Sequence, residues 1–153
     1  MNFEAIQHIP MSQQAHGIDP NHVVFRLRAG RDDLKHCTLF YADRACRLTP
    51  VIFSSVEMQV EAQDEWFDYF QVILESPYKR ICYYFELDDG TQKLLYYGDF
   101  FTDHRVDDRS EYYQLPFNHP ADIAAPPAWA PDAVVYNIFP DSFATSRRLL
   151  SGK

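Results

Sequence analysis

The sequence is short of positive charge. It has 14 Lys and Arg against 22 Asp and Glu in 153 residues, a formal net charge of −8. That balance excludes general nucleic-acid binding, which begins with clustered Lys and Arg on the phosphate backbone. Glycine is scarce too, at 5 residues beside 10 prolines, which excludes collagen-like and Gly-rich linker classes. Cysteine is limited to Cys37, Cys46 and Cys82, with no CxxC spacing. The opening MNFEAIQHIP lacks a basic stretch followed by an apolar one, so it does not read as a secretory signal. An odd cysteine count without such a signal predicts free thiols in a reducing compartment, and hence a cytoplasmic location. No apolar run approaches the ~20 residues that cross a bilayer, so no membrane partner is expected. The six histidines, at 8, 16, 22, 36, 104 and 119, have no H-x₃-H or HExxH spacing, and no Gly-rich phosphate loop is present. Neither zinc nor a nucleotide cofactor is expected.

Aromatic residues are plentiful: 12 Phe, 10 Tyr and 2 Trp, 16% of the chain. Phe and Tyr suit half-buried pleated strands, so the composition leans towards β structure. A chain of this length can bury roughly 70% of its unfolded surface and needs no disulfide or metal to fold.

Period-2 alternation confirms the lean. In VVFRLRA, Val23, Phe25, Leu27 and Ala29 share one face and Arg26 and Arg28 the other. Cys37, Leu39 and Tyr41 share a face in KHCTLFYA. VIFSSVEMQV reads as one strand, with Ile52, Val56, Met58 and Val60 on one side. In RICYYFELDDG, Ile81, Tyr83, Phe85 and Leu87 oppose Cys82, Tyr84, Glu86 and Asp88, and the DDG that follows is a turn into KLLYYG. A last strand is expected at YYQLPF, ending at Pro116. EWFDYFQVILE is apolar on both faces, which suits a central strand covered on both sides or one with a bulge. Residues 102–111, TDHRVDDRSE, read as a mobile polar loop. Strands recurring every 10 to 15 residues, with no helical segment before residue 117, predict an all-β fold: an antiparallel, immunoglobulin-like sandwich of about seven or eight strands. Cys37 and Cys82 sit in strand-like runs where a thiol acts as a small hydrophobe. The two are able to face each other between sheets, but no disulfide is expected in a reducing compartment.

The composition changes after Phe117. NHPADIAAPPAWAP, residues 118–131, holds four prolines and is expected to be an extended linker. Residues 133–139 then form a short apolar run without alternation, as in a strand buried on both faces of a parallel sheet. Such a strand is not expected to sit free in water, so it should pack on the sandwich or pair with another copy. The expected layout is therefore a sandwich over 1–117, a linker over 118–131, and the start of a second, truncated domain over 132–153.

That junction carries a resemblance. WAPDAVVYNIFPDSFA resembles the entry into the catalytic barrel of family 13 glycoside hydrolases, in the group of cyclomaltodextrinases, neopullulanases and maltogenic amylases. Trp129, Ala133, Val134, Tyr136, Ile138, Phe139, Pro140 and Phe143 match, while Asn137 and Ser142 stand where Gln and Arg are usual. Upstream, Phe67-Asp68-Tyr69-Phe70, then Pro77, Tyr78, Arg80, Tyr83 and Phe85, then Leu115-Pro116-Phe117, are similar to that group's N-terminal family 34 carbohydrate-binding module. The resemblance implies a longer enzyme that cleaves α-1,4 and α-1,6 glucosidic bonds with retention, using two carboxylates about 5 Å apart in a cleft built by later βα loops. No catalytic residue is expected within this chain. The implied partners are an α-glucan or cyclodextrin, the protein's own catalytic barrel, and a second subunit in a homodimer.

Relatives often carry G-D-P-[YF] and a Trp after an early strand; here the stretch is Tyr41-Ala42-Asp43-Arg44-Ala45, which leaves only Tyr41 for that role. Where relatives have a calcium loop, this chain has Thr145-Ser146-Arg147-Arg148, and guanidinium groups do not ligate calcium, so no calcium or other cofactor is expected. Sugars stack on flat aromatic faces, and the candidates are Trp66, Tyr41, Tyr84 and Tyr97, with Tyr112 as a further outward aromatic. Trp129, Tyr136 and Phe139 are the candidates for packing between domains. Asp68 is expected to accept backbone N–H bonds at a turn. The rival expectation is a purely structural domain that packs on the barrel and a partner subunit without sugar affinity.

Overall fold

The computed structural model describes residues 1–76, 78–98, 100–123 and 126–138. Ten strands run in chain order: β1 (Ala15–Gly17), β2 (His22–Gly30), β3 (His36–Asp43), β4 (Ser54–Glu57), β5 (Gln59–Gln63), β6 (Phe67–Glu75), β7 (Ile81–Asp88), β8 (Lys93–Tyr97), β9 (Phe100–Thr102) and β10 (Tyr113–Leu115). They build two wholly antiparallel sheets, one ordered β1-β2-β6-β5 and the other β4-β3-β7-β8-β9, with β10 also paired to β7. The all-β immunoglobulin-like sandwich expected from the alternation is what forms. The extra strands are β1 and β9, too short for periodicity to reveal, and a β4 and β5 that the sequence joins into one.

That join is a correction with a clear cause. The run VIFSSVEMQV crosses from one sheet to the other at Met58, whose N–H donates to the Cys37 carbonyl (2.8 Å) and whose side chain is buried. The core between the sheets takes the predicted inward faces: Val23, Phe25, Leu27 and Ala29 from β2, and Ile81, Tyr83, Phe85 and Leu87 from β7. β6 is a central strand, paired to β2 over nine positions from His22↔Glu75 to Gly30↔Phe67. Its outer face is only partly covered, since Ile73 is exposed, and the bulge lies in its neighbour β5, between Val60 and Ala62.

The second sheet carries another apolar cluster on its outer face. Ala42, Cys82, Tyr84 and Tyr97 lie there beneath Val51, Phe53, Val106 and Tyr112 from two loops. Arg105 donates to the Val51 carbonyl, Arg109 donates to the carbonyls of Cys46 and Leu48, and the Tyr112 hydroxyl donates to Val106 (2.8 Å). The acidic loop read as mobile is therefore pinned across the sheet. All three cysteines are free. Cys37 lies in the inter-sheet core and Cys82 in the outer cluster, so they do not face each other. Burial pushes the Cys82 thiol up to about 11 and that of Cys37 further, which leaves both protonated at neutral pH.

After β10 the chain stays on the sandwich for a further turn. Asn118 is buried; its N–H donates to the Lys79 carbonyl (2.9 Å) and its amide reaches the carbonyls of Asp19 and Pro20 (3.4 Å each). Position 17 must be glycine for this: a Cβ there would lie 1.9 Å from Asn118 Oδ1. The start of the linker is thus docked, not free. Residues 133–138 form no strand, and Val134, Val135 and Tyr136 stand in solvent, Tyr136 at 87% exposure. The expected packing of this run on the sandwich does not occur. Phe139, and the rest of 139–153, lie outside the described residues. Among the described residues no helix is long and apolar enough to cross a membrane.

Candidate functional site

The β5–β6 hairpin builds the site from its own tip. The Asp64 carboxylate accepts the N–H groups of Trp66 (2.8 Å) and Phe67 (2.7 Å) on Oδ1 and the Tyr69 hydroxyl (2.7 Å) on Oδ2. This is the local chemistry by which Asp closes a turn. These bonds, that from Tyr69 foremost, hold the Asp64 carboxyl below the usual carboxylate range. From the other side, Arg31 N–H donates to the Trp66 carbonyl (2.8 Å). Asp68, buried, accepts Asp32 N–H (2.8 Å) and the Gln63 side-chain amide (2.8 Å), the turn role expected of it.

Trp66 is therefore fixed at its backbone on both sides, while its side chain is 68% exposed. It borders a depression of about 450 Å³ together with Gly30, Arg31, Asp33, Glu65 and Phe67. A flat apolar ring rimmed by a guanidinium and two carboxylates can stack on the C–H face of a pyranose and hydrogen-bond its hydroxyls. Because the turn is ordered beforehand, little backbone entropy is lost on binding.

The other aromatic candidates fall elsewhere. Tyr41 shares the inward face of β3 and packs half-buried against the inter-sheet core. Tyr84 and Tyr97 do point away from that core, but the two pinned loops cover them, leaving 5% and 0% exposure. Tyr84 stacks on Phe40 (4.9 Å) and on Tyr97 (4.6 Å), and Tyr112 is buried with them. Tyr84, Tyr97 and Tyr112 point outward as expected but are covered there, so none of the three offers a free ring face to a ligand. Trp129, beside the short 3₁₀ turn Ala130–Asp132, and Tyr136 are exposed and far along the chain from Trp66. Sequence reasoning overlooked Asp64, which a carboxylate two residues before the key Trp could have signalled as a turn closer. It also overlooked the outward Phe67 and Tyr69, which continue the aromatic face along β6. Among the described residues no group of three or more His, Cys, Asp or Glu is placed to hold a metal ion. Residues 145–148 lie outside them.

Fold and site define a small two-sheet immunoglobulin-like domain with one ordered, solvent-facing tryptophan at a hairpin tip. The family model "Alpha amylase, N-terminal ig-like domain" matches residues 1–119, and the chain belongs to that family. It is similar to the cyclomaltodextrinase of Geobacillus thermopakistaniensis (strain MAS1), 32% identical over 155 residues that span 100% of this chain and 26% of that protein. It is similar also to neopullulanase 2 of Thermoactinomyces vulgaris, 32% identical over 145 residues, 94% of this chain and 24% of that one. A solved cyclomaltodextrinase superposes with a TM-score of 0.76 at 29% identity, over 89% of this chain and 23% of its own. The chain spans about a quarter of the length of the curated relatives it matches.

Proposed function

We propose that this domain binds starch-type glucans or cyclodextrins and helps assemble a longer, dimeric α-glucan hydrolase that cleaves α-1,4 and α-1,6 bonds with retention. The observation that carries the reading is Trp66: a large aromatic ring, exposed yet fixed at its backbone by Asp64 and Arg31, with polar groups along its rim. The names of the relatives support the substrate class. A neutral glucan also suits a chain of net charge −8, since it demands no counter-charge. The catalytic carboxylates belong to the longer protein's barrel, and the domain itself uses no calcium or other cofactor. The free thiols fit a cytoplasmic location.

Titration with β-cyclodextrin and maltoheptaose tests the sugar part. The chain has two tryptophans, so a Trp129→Phe background reports Trp66 alone. Millimolar ligand is expected to shift its fluorescence and release heat, and Trp66→Ala is expected to weaken binding at least ~10-fold, about 1.4 kcal/mol. No heat and no fluorescence change at millimolar ligand would sink the reading.

A second reading, a structural domain without sugar affinity, is favoured by the apolar run Val134, Val135 and Tyr136 left in water. It expects the chain to self-associate at high concentration through that run, and Val135→Asp to abolish the association. A strictly monomeric chain by light scattering would show that the domain alone does not drive assembly.

A further inference from the structure

We propose a second sugar subsite on the outer face of the β1-β2-β6-β5 sheet, centred on the ring of Tyr69, which one maltooligosaccharide occupies together with Trp66. This rests on the reading that the domain binds α-glucans and adds where, and how long, the bound chain is.

Three features uncover the Tyr69 ring. Its cross-strand neighbour on β5 is Ala62, whose methyl group is too short to cover it. Its neighbour on β2 is Arg28, but that guanidinium is drawn over the Phe67 ring, 4.2 Å from its centroid. The next pair along, Arg26 and Gln71, is engaged with itself through Arg26 Nε and Gln71 Oε1 (2.6 Å). The result is a depression of about 330 Å³ lined by Arg26, Glu61, Ala62, Tyr69, Phe70 and Gln71.

The polar rim suits a hexose. Glu61 is the extra residue of the β5 bulge, between Val60 and Ala62, and a bulge re-aims a side chain relative to its strand. Its carboxylate has no hydrogen bond or ion pair among the described residues, so it can accept sugar hydroxyls. Arg26 uses Nε for Gln71 and Nη1 for the Gln13 carbonyl (3.2 Å), which leaves Nη2 as a donor. The Tyr69 hydroxyl is tied to Asp64, which also accepts the Trp66 backbone N–H, so one carboxylate ties both residues to the same turn. Only Phe67 and Asp68 lie between them, Trp66 in the hairpin turn and Tyr69 on β6, so their backbones are at most ~11 Å apart, within reach of a few linked rings.

The test is chain-length dependence. Wild-type protein is expected to bind maltoheptaose at least ~5-fold more tightly than maltose. Tyr69→Ala is expected to remove that gain while keeping the maltose affinity set by Trp66. Since Tyr69→Ala also breaks the bond to Asp64, Ala62→Leu serves as the second variant: it covers the ring and leaves that bond intact, and it should also erase the gain. Tyr69→Phe, which keeps the ring, should retain most of it. If wild type binds both sugars and either Tyr69→Ala or Ala62→Leu keeps the gain, the second subsite is wrong while sugar binding by the domain stands. If wild type binds neither sugar, the underlying reading fails and this one with it. Self-association weakened by Ala62→Leu, without any sugar response, would assign the face to a second copy and overturn the proposal.

Discussion

Phe85→Ala is expected to destabilise the domain by about 3–5 kcal/mol, the cost of removing a fully buried aromatic ring from a core that cannot collapse around the gap. Phe85 has no exposed surface and sits on β7 between Leu39 of β3 and Tyr96 of β8. Its ring centroid lies 4.8 Å from that of His8, ahead of β1, 5.9 Å from that of Tyr113 on β10, and 5.8 Å from that of Tyr83 on β7 itself, so two other segments lose a shared neighbour at once. Against a usual total stability of about 5–15 kcal/mol, the loss would bring the domain close to unfolding. Urea unfolding measures it directly. Ile73→Ala, on the exposed outer face of β6, is the control and should change stability by no more than about 0.5 kcal/mol. A Phe85→Ala loss below about 1 kcal/mol would mean that the core is not packed as described.

Stability should also fall by about 3 kcal/mol as pH drops from 6.5 to 4, through His8. Nδ1 lies 2.6 Å from the Arg26 carbonyl, which only accepts, so Nδ1 carries the proton; Nε2 then accepts from the Tyr83 hydroxyl at 2.8 Å. The rings of Phe85 and Tyr113 close the remaining sides. Burial lowers the pKa from 6.5 to about 4, against the smaller opposing effect of the Arg26 carbonyl. In the unfolded chain the imidazole takes up a proton below 6.5, whereas the folded protein does so only near 4. The contribution is thus complete above 6.5, declines across that window, and is gone below it; the interval corresponds to about 3 kcal/mol. Asp19, Asp64, Asp89, Asp103 and Asp108 also have depressed pKa values, but their stabilisation begins to fade only below about pH 5, so the loss between pH 6.5 and 5 belongs to His8. His8→Gln, with one donor and one acceptor for the same partners, should flatten the slope between pH 4 and 6.5. Identical slopes in wild type and variant would refute the assignment.

The inward faces of β2, β3 and β7 were legible in the sequence because side chains alternate strictly across a strand. Val23, Phe25, Leu27 and Ala29 needed no knowledge of their partners to be placed together. The exposure sought at Trp66 depends on a turn closed by its near neighbour Asp64, whereas the backbone N–H that Asp68 accepts comes from Asp32, 36 residues earlier, a partner the sequence did not name. The short β1 and β9 were not legible, since three residues carry no period. Nor was the break at Met58, where the bond to Cys37 comes from a strand about 20 residues earlier.

By itself the sequence determined the β class, the two faces of each long strand, and the family. The tertiary structure alone decided which outward aromatics meet solvent. Tyr84, Tyr97 and Tyr69 all point away from the inter-sheet core. Arginine-to-carbonyl bonds draw two distant loops over the first two, while Ala62 and the displaced Arg28 leave the third open. Alternation fixes the direction of a side chain, but what covers it depends on strand register and on loops brought from elsewhere in the chain.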